Sequence, residues 1–248
     1  MKRRRLLTLA GILLLSLLIV ACGGGSEKYQ VATDATWPPF EVVDENTKEI
    51  IGFDIDLMNA IAERGGFEIE FVNVGWDPLL AGMAQCQYDA AISAMTITEE
   101  RKESFLFSEP YFAAGQVVTV QSGNTDIMSK DDLVGKTVGA QIGTTGAIEV
   151  EKIEGANLKT YDDIGLAFQD LINGQIDAIV ADNPLALGYV GANPQDLMTV
   201  GPVFTDENYG VAVCMDNTEL LEMINTGLAA VKEEGLIETL TVQWIGGN

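Results

Sequence analysis

Beyond residue 28 the chain alternates short apolar runs with helical stripes, at a spacing that leaves few folds open. Tyr29–Thr33 reads as a strand. Phe53 to about Arg64 reads as a helix with Phe53, Leu57, Ala60 and Ile61 on one stripe and Gly65-Gly66 as its stop. Phe67–Val74 is strand-like, Leu79–Cys86 helical, and Asp89–Ser93 a buried strand of small and β-branched residues. A second series follows, with strands over Gln116–Gln121, Thr137–Gln141 and Ile176–Val180 and helices over Ala147–Ile153 and Ile164–Asn173. Tyr209–Met215 is a late strand, and Thr218–Glu234 and Leu236–Ile245 are closing helices. Strand, helix and strand at this interval imply crossover connections, hence an α/β fold with mostly parallel sheets. An internal echo suggests two similar lobes: Gln87-Tyr88-Asp89-Ala90-Ala91-Ile92 is matched by Gln175-Ile176-Asp177-Ala178-Ile179-Val180, each after a helix stop.

The polar residues gather where such a fold binds ligands, outside the carboxyl ends of the strands. After the strand at Asp89 come Thr96-Ile97-Thr98 and then Arg101 in a first helical turn. A guanidinium presents a planar fork that matches a carboxylate; the alternative is pairing with Glu99 or Glu100 on a solvated face. Asp34 and Trp37 follow the first strand, on a stretch that Pro38 and Pro39 should keep as a loop. Trp76 follows the next strand, Gly143-Thr144-Thr145-Gly146 follows Gln141, and Asp182 ends the strand at Ile176. An Asp before Asn-Pro is alternatively a helix cap, and each Trp alternatively a core residue.

Composition removes whole classes of chemistry. The 248 residues contain no histidine, so Ser-His-Asp and Cys-His catalysis and histidine metal sites are excluded, and no cofactor or metal is expected. With 14 basic and 37 acidic residues the formal charge is −23, which argues against nucleic acid as a partner.

Residues 1–21 read as a targeting peptide: Lys2 and Arg3 to Arg5 are the charged region, and Leu6–Val20 an apolar run too short for a comfortable membrane span. Its removal would take four basic residues and no acidic one, leaving 10 against 37 and a net charge of −27. Ile19-Val20-Ala21-Cys22 resembles a bacterial lipobox, which implies acylation of Cys22 and a membrane anchor through residues 22–28, with Gly23-Gly24-Gly25-Ser26 as the tether. A plain secretory signal and an uncleaved anchor are the alternatives.

From Val31 to Trp244 the chain resembles the family 3 extracellular solute-binding proteins, the amino-acid receptors of ABC importers. ATDATWPPFE, GFDIDLMNAIA, YDAAISAMTITEERKESFLFSEPY, GTTG and DAIVADNP carry the likeness, in the family's order. The resemblance implies two α/β lobes joined by two strands, with residues 27–112 plus 206–248 as lobe 1 and 113–205 as lobe 2. It implies a free amino acid as ligand, permease subunits as partners, a monomer, and an extracytoplasmic location. By the same likeness Arg101 takes the ligand carboxylate, helped by the Thr96 and Thr145 backbone N–H groups at a helix start that includes Thr144. Asp182, the Ala94 carbonyl and the Thr96 hydroxyl accept the ammonium, with Met95 beside them. Asp34, Trp37, Trp76 and Gln141 line the side-chain pocket, the two tryptophans flanking a cation and Asp34 as its counter-ion. Arginine, lysine or ornithine is expected ahead of glutamine, although Gln141 could favour an amide. The family often has Gly or Ser where Ala94 stands.

In that fold the strands near Cys86 and Cys214 run antiparallel side by side, so a disulfide between them is the hypothesis and two buried thiols the alternative. Two other classes share the fold. An enzyme akin to cyclohexadienyl dehydratase would need an acid or base with a shifted pKa, whereas Arg101 and Asp182 already suit a whole zwitterion. A sensor domain would be accompanied by a further domain or a second membrane segment.

Overall fold

The computed structural model describes residues 28–246. The targeting peptide, Cys22 and most of the tether lie outside the described residues. No helix among the described residues is long and apolar enough to cross a membrane.

Two five-stranded sheets dominate. The first contains β1 (Tyr29–Thr33), β5 (Ile69–Asn73), β6 (Ala90–Ala91), β7 (Phe105–Phe107) and β15 (Ala212–Cys214), in the order β5-β1-β6-β15-β7. The second contains β9 (Gln116–Gln121), β10 (Thr137–Gln141), β11 (Asn157–Tyr161), β12 (Ala178–Asp182) and β13 (Leu197–Val200), in the order β11-β10-β12-β9-β13. Each has three parallel strands followed by an antiparallel neighbour and an outer strand. The sequence echo falls on the third parallel strand of each, β6 and β12, and has a physical cause. Asp89 accepts the Gln30 N–H at 2.8 Å, and Asp177 accepts the Thr137 N–H at 2.7 Å. In both lobes this aspartate ties the incoming strand to the start of its parallel neighbour.

Helices cover the sheets: α1 (Phe53–Gly65), α2 (Trp76–Ala84), α3 (Glu99–Lys102), α4 (Thr145–Glu151), α5 (Ile164–Ile172), α6 (Asn183–Ala192), α7 (Thr218–Glu233) and α8 (Leu236–Trp244). The first lobe is discontinuous in sequence, because α7 and β15 return to pack beside α1 and β6. Gly227 permits that return: a Cβ there would lie 2.2 Å from the Ile61 carbonyl oxygen. Between the lobes run β8 (Phe112–Ala114) and β14 (Glu207–Tyr209), antiparallel to each other. Phe112 and Tyr209 stack there at 5.9 Å between ring centres, against Phe40 and Phe53.

Some local expectations are corrected. Thr36–Trp37 is a short strand, β2, that pairs with β3 (Glu41–Val43), which pairs in turn with β4 (Ile50–Ile51). Trp37 therefore sits on a strand, with the prolines forming the turn after it. The expected strand Tyr209–Met215 is split, because β14 pairs with β8 while β15 joins the first sheet. Helix α2 starts at Trp76 rather than Leu79 and ends before Cys86, which adopts a left-handed φ of 51°.

Candidate functional site

The carboxyl ends of β1, β6, β10 and β12 open on one narrow, nearly closed cavity. Asp34, Trp37, Trp76, Ala94, Thr96, Arg101, Gln141, Thr144, Thr145 and Asp182 all border it, with Ser93 in addition. Met95 does not. Ala94 and Thr96 border the cavity, whereas Met95 between them is fully buried in the core with Leu79 and Met83.

At one end stands Arg101. Thr98 caps its short helix by accepting the Arg101 N–H at 3.1 Å. The guanidinium donates to the Thr96 carbonyl at 2.8 Å and, across the cleft, to the Gly143 carbonyl at 3.1 Å. It also lies over the Trp76 ring, 5.1 Å from its centre, so one face of that indole carries the protein's own cation. Burial lowers the Arg101 pKa to about 10 against the pull of Asp182 and Glu207, which leaves it charged at neutral pH.

Asp182, only 4% exposed, ends β12. It occupies the cap position of α6, yet its carboxylate makes no cap bond and instead accepts the Gln116 side-chain N–H at 2.7 Å. Burial, then the charge of Glu207, pushes its pKa up to about 8. Asp34 bridges the lobes by accepting the Gln141 Nε2–H at 3.0 Å, and it also accepts the Thr36 hydroxyl at 2.9 Å; burial raises its pKa. Three buried polar atoms of the cavity residues have no protein partner, namely Trp37 Nε1, Trp76 Nε1 and Gln141 Oε1. A donor and acceptor set of this kind is what a polar ligand would satisfy.

Ser93, Gln116 and Glu207 went unread in the sequence. Ser93 follows a strand whose end was recognised. Glu207 lies on the connecting strand β14 and Gln116 opens β9 just after the connecting strand β8, and both reach the site only through tertiary structure. The one local hint was a glutamine opening the apolar strand QVVTV.

Beneath the cavity lie two fully buried carboxyl groups, Glu41 and Asp54. Glu41 accepts the Ser93 hydroxyl at 2.9 Å, and the Ser93 oxygen accepts the Asp34 N–H at 3.0 Å. Asp54 accepts the Ala94 N–H at 2.7 Å and the Tyr111 hydroxyl at 2.8 Å. The pair thus holds Ala94 in a left-handed conformation, φ 44°, that costs a non-glycine residue about 1–2 kcal/mol. Glu41 Oε2 and Asp54 Oδ1 have no hydrogen-bond partner among the described residues, and burial together with the charge of Asp54 favours a proton kept on Glu41. Burial drives Glu41 well above the ordinary carboxylate range and Asp54 to about 7.

A pH dependence follows. The unfolded chain releases these protons near pH 4, whereas the folded chain keeps them to about 7 and beyond. The native state binds more protons in that window, so stability is greatest below about pH 4 and falls as pH rises, by about 1.4 kcal/mol per unit for each retained proton. The melting temperature is expected to drop from pH 5 to pH 8. Glu41→Gln removes one of the two titrating groups and should flatten the slope. A wild-type melting temperature that is level or rising over this range would refute the retained protons.

Two α/β lobes of one topology, joined by a strand pair and facing each other across a small polar cavity, define a two-lobed solute-binding protein. Residues 29–247 match the model of the bacterial extracellular solute-binding proteins, family 3, and the chain belongs to that family. Among similar proteins, a probable histidine-binding protein of Neisseria gonorrhoeae is 37% identical over 89% of this chain and 88% of its own length. The ABC transporter arginine-binding protein 1 of Escherichia coli K12 is 36% identical over 88% of this chain and 91% of its own. The crystal structure of the arginine-, lysine-, histidine-binding protein ArtJ of Geobacillus stearothermophilus superposes with a TM-score of 0.84, at 37% identity, covering 90% of this chain and 96% of that one.

Proposed function

We propose that this protein is the extracytoplasmic receptor of an ABC importer for a basic amino acid, with arginine, lysine or ornithine ahead of glutamine. The carrying observation is the set of charges on one cavity: Arg101 and Asp182, which act on each other electrostatically, and Asp34, which accepts the Gln141 Nε2–H. Arg101 takes the α-carboxylate and Asp182 the α-ammonium. Asp34 and Gln141 receive the side-chain cation beside Trp37 and the remaining face of Trp76. The relatives that bind arginine, lysine or histidine support the same class.

The mechanism is closure. Lobe 1 (residues 27–112 and 206–248) holds the carboxylate and lobe 2 (113–205) the ammonium, so only a ligand with both groups at one carbon joins them. That differential contact shifts the population towards the closed state, which the permease subunits read. Cys22 carries the lipid that keeps the monomeric receptor at the membrane.

A thermal-shift panel of the twenty amino acids with ornithine and citrulline tests this reading. At a thousandfold excess over Kd, a ligand of the folded state stabilises by about 4 kcal/mol. For a chain of this size that is roughly 8–16 °C. Basic amino acids should give the large shifts. A shift with glutamine alone would refute the Asp34 pocket, and silence across the panel would refute the receptor.

A further inference from the structure

Glu207 is 8% exposed, does not border the cavity, and accepts four side-chain hydrogen bonds. Its Oε1 accepts the Thr205 hydroxyl at 2.7 Å and the Gln116 Nε2–H at 3.1 Å. Its Oε2 accepts the Thr96 hydroxyl at 2.8 Å and the Thr145 hydroxyl at 2.9 Å. Thr96 comes from the first lobe, Thr145 from the second, and Glu207 from the strand pair between them. A hydroxyl has a single proton. With that proton committed to Glu207, each threonine oxygen keeps only lone pairs for the cavity.

We infer that Glu207 is a positioning residue that turns the Thr96 and Thr145 hydroxyls into obligate acceptors and so makes the α-ammonium a requirement for binding. The inference rests on the amino-acid reading above. Together with Asp182, which a bound ammonium would draw into its ionised form, the two threonine oxygens offer that ammonium three acceptors. A ligand with three N–H donors satisfies such a set, and one with a methylene in that place leaves acceptors unpaired. Gln116 supports the arrangement: its Nε2 lies within hydrogen-bond distance of Asp182 at 2.7 Å, of Glu207 at 3.1 Å and of the Thr145 hydroxyl oxygen at 3.0 Å, which occupies one lone pair of Thr145 and leaves the other for the cavity.

The test compares L-arginine with 5-guanidinopentanoate, which is arginine without its α-amino group, by calorimetric titration of wild type and Glu207→Gln. The glutamine amide is a donor, so a hydroxyl facing it must turn its own proton into the cavity. Wild type should prefer arginine by at least about 100-fold. In Glu207→Gln that ratio should fall at least about tenfold, through loss of arginine affinity with 5-guanidinopentanoate unchanged or tighter. An unchanged ratio, or equal losses for both ligands, would overturn the inference and leave the receptor reading intact. If wild type binds no amino acid, the receptor reading fails and the inference with it; if it binds lysine or ornithine in place of arginine, the same comparison is made with that amino acid and its analogue lacking the α-amino group. Thr96→Val supplies a second arm should Glu207→Gln not fold. It should lower the ratio by itself and, combined with Glu207→Gln, add little; an undiminished ratio in Thr96→Val overturns the inference as well.

Discussion

Replacing Arg101 by alanine is expected to weaken amino-acid binding by about a thousandfold. Truncating one partner of a desolvated, hydrogen-bonded charge pair costs about 2–5 kcal/mol, and about 4 kcal/mol corresponds to that factor. The upper part of the range is the right one here, because no lysine or second arginine borders the cavity to replace the lost cation. Asp34 and Asp182 would then face the ligand carboxylate unopposed. The guanidinium also ties the lobes through the Gly143 carbonyl and lies over Trp76, so closure is weakened along with charge pairing. Arg101→Lys is expected to lose less, about 10- to 100-fold, since an ammonium keeps the charge but cannot present a planar fork to a carboxylate while bonding carbonyls on both sides of the cleft. Calorimetric titration with arginine reads both variants, and an alanine variant within tenfold of wild type would remove Arg101 from the carboxylate role. The ligand-free melting temperature should hardly move, because Arg101 is half-buried on a helix of four residues with no buried side chain.

How far the site could be read from sequence depended on which residues were announced locally. Arg101, Asp182, Gln141 and Thr145 follow strand ends, and strand ends are where a parallel sheet exposes polar groups. Glu207 and Gln116 carry no such mark. They become part of the site because β14 runs between the lobes and Gln116 begins β9 directly after β8, its partner strand. Met95 shows the converse: it lies between Ala94 and Thr96 in sequence, but the bend at Ser93 and left-handed Ala94 leaves its side chain in the core. The same holds for the fold. Long periodic elements such as α1 and α7 were plain, whereas β2, β3 and β4 are two or three residues long and carry no period. Helix α6 is announced only by Asp182 before Asn-Pro, which reads alternatively as a helix cap; Asp182 does stand at the cap position, with proline in the first helical turn, where it is well suited.

Loss of the Cys86–Cys214 disulfide is expected to cost stability rather than ligand affinity. The bond is formed, with the two Cα atoms 5.1 Å apart and 128 residues of separation between them. The antiparallel pairing of β6 with β15 explains the proximity: Val213 lies opposite Ala90, which brings the strand ends near Cys86 and Cys214 together. The ring so closed contains the whole of the second sheet, so the bond staples a lobe whose two sequence parts are otherwise joined only by packing and pairing. In the chain-entropy model a loop of that length contributes about 5 kcal/mol by restricting the unfolded chain. Urea denaturation of the oxidised and reduced protein, and of Cys86→Ser with Cys214→Ser, should differ by about 3–5 kcal/mol, within the range measured on removing native disulfides. The cysteines lie at the end of the first sheet opposite the strand ends that border the cavity, so arginine affinity measured well below the melting temperature should change by less than about threefold. A stability difference under about 1 kcal/mol would mean that the packing of α1 on α7 alone holds the returning chain. A large loss of affinity with little loss of stability would mean instead that the bond shapes the cavity.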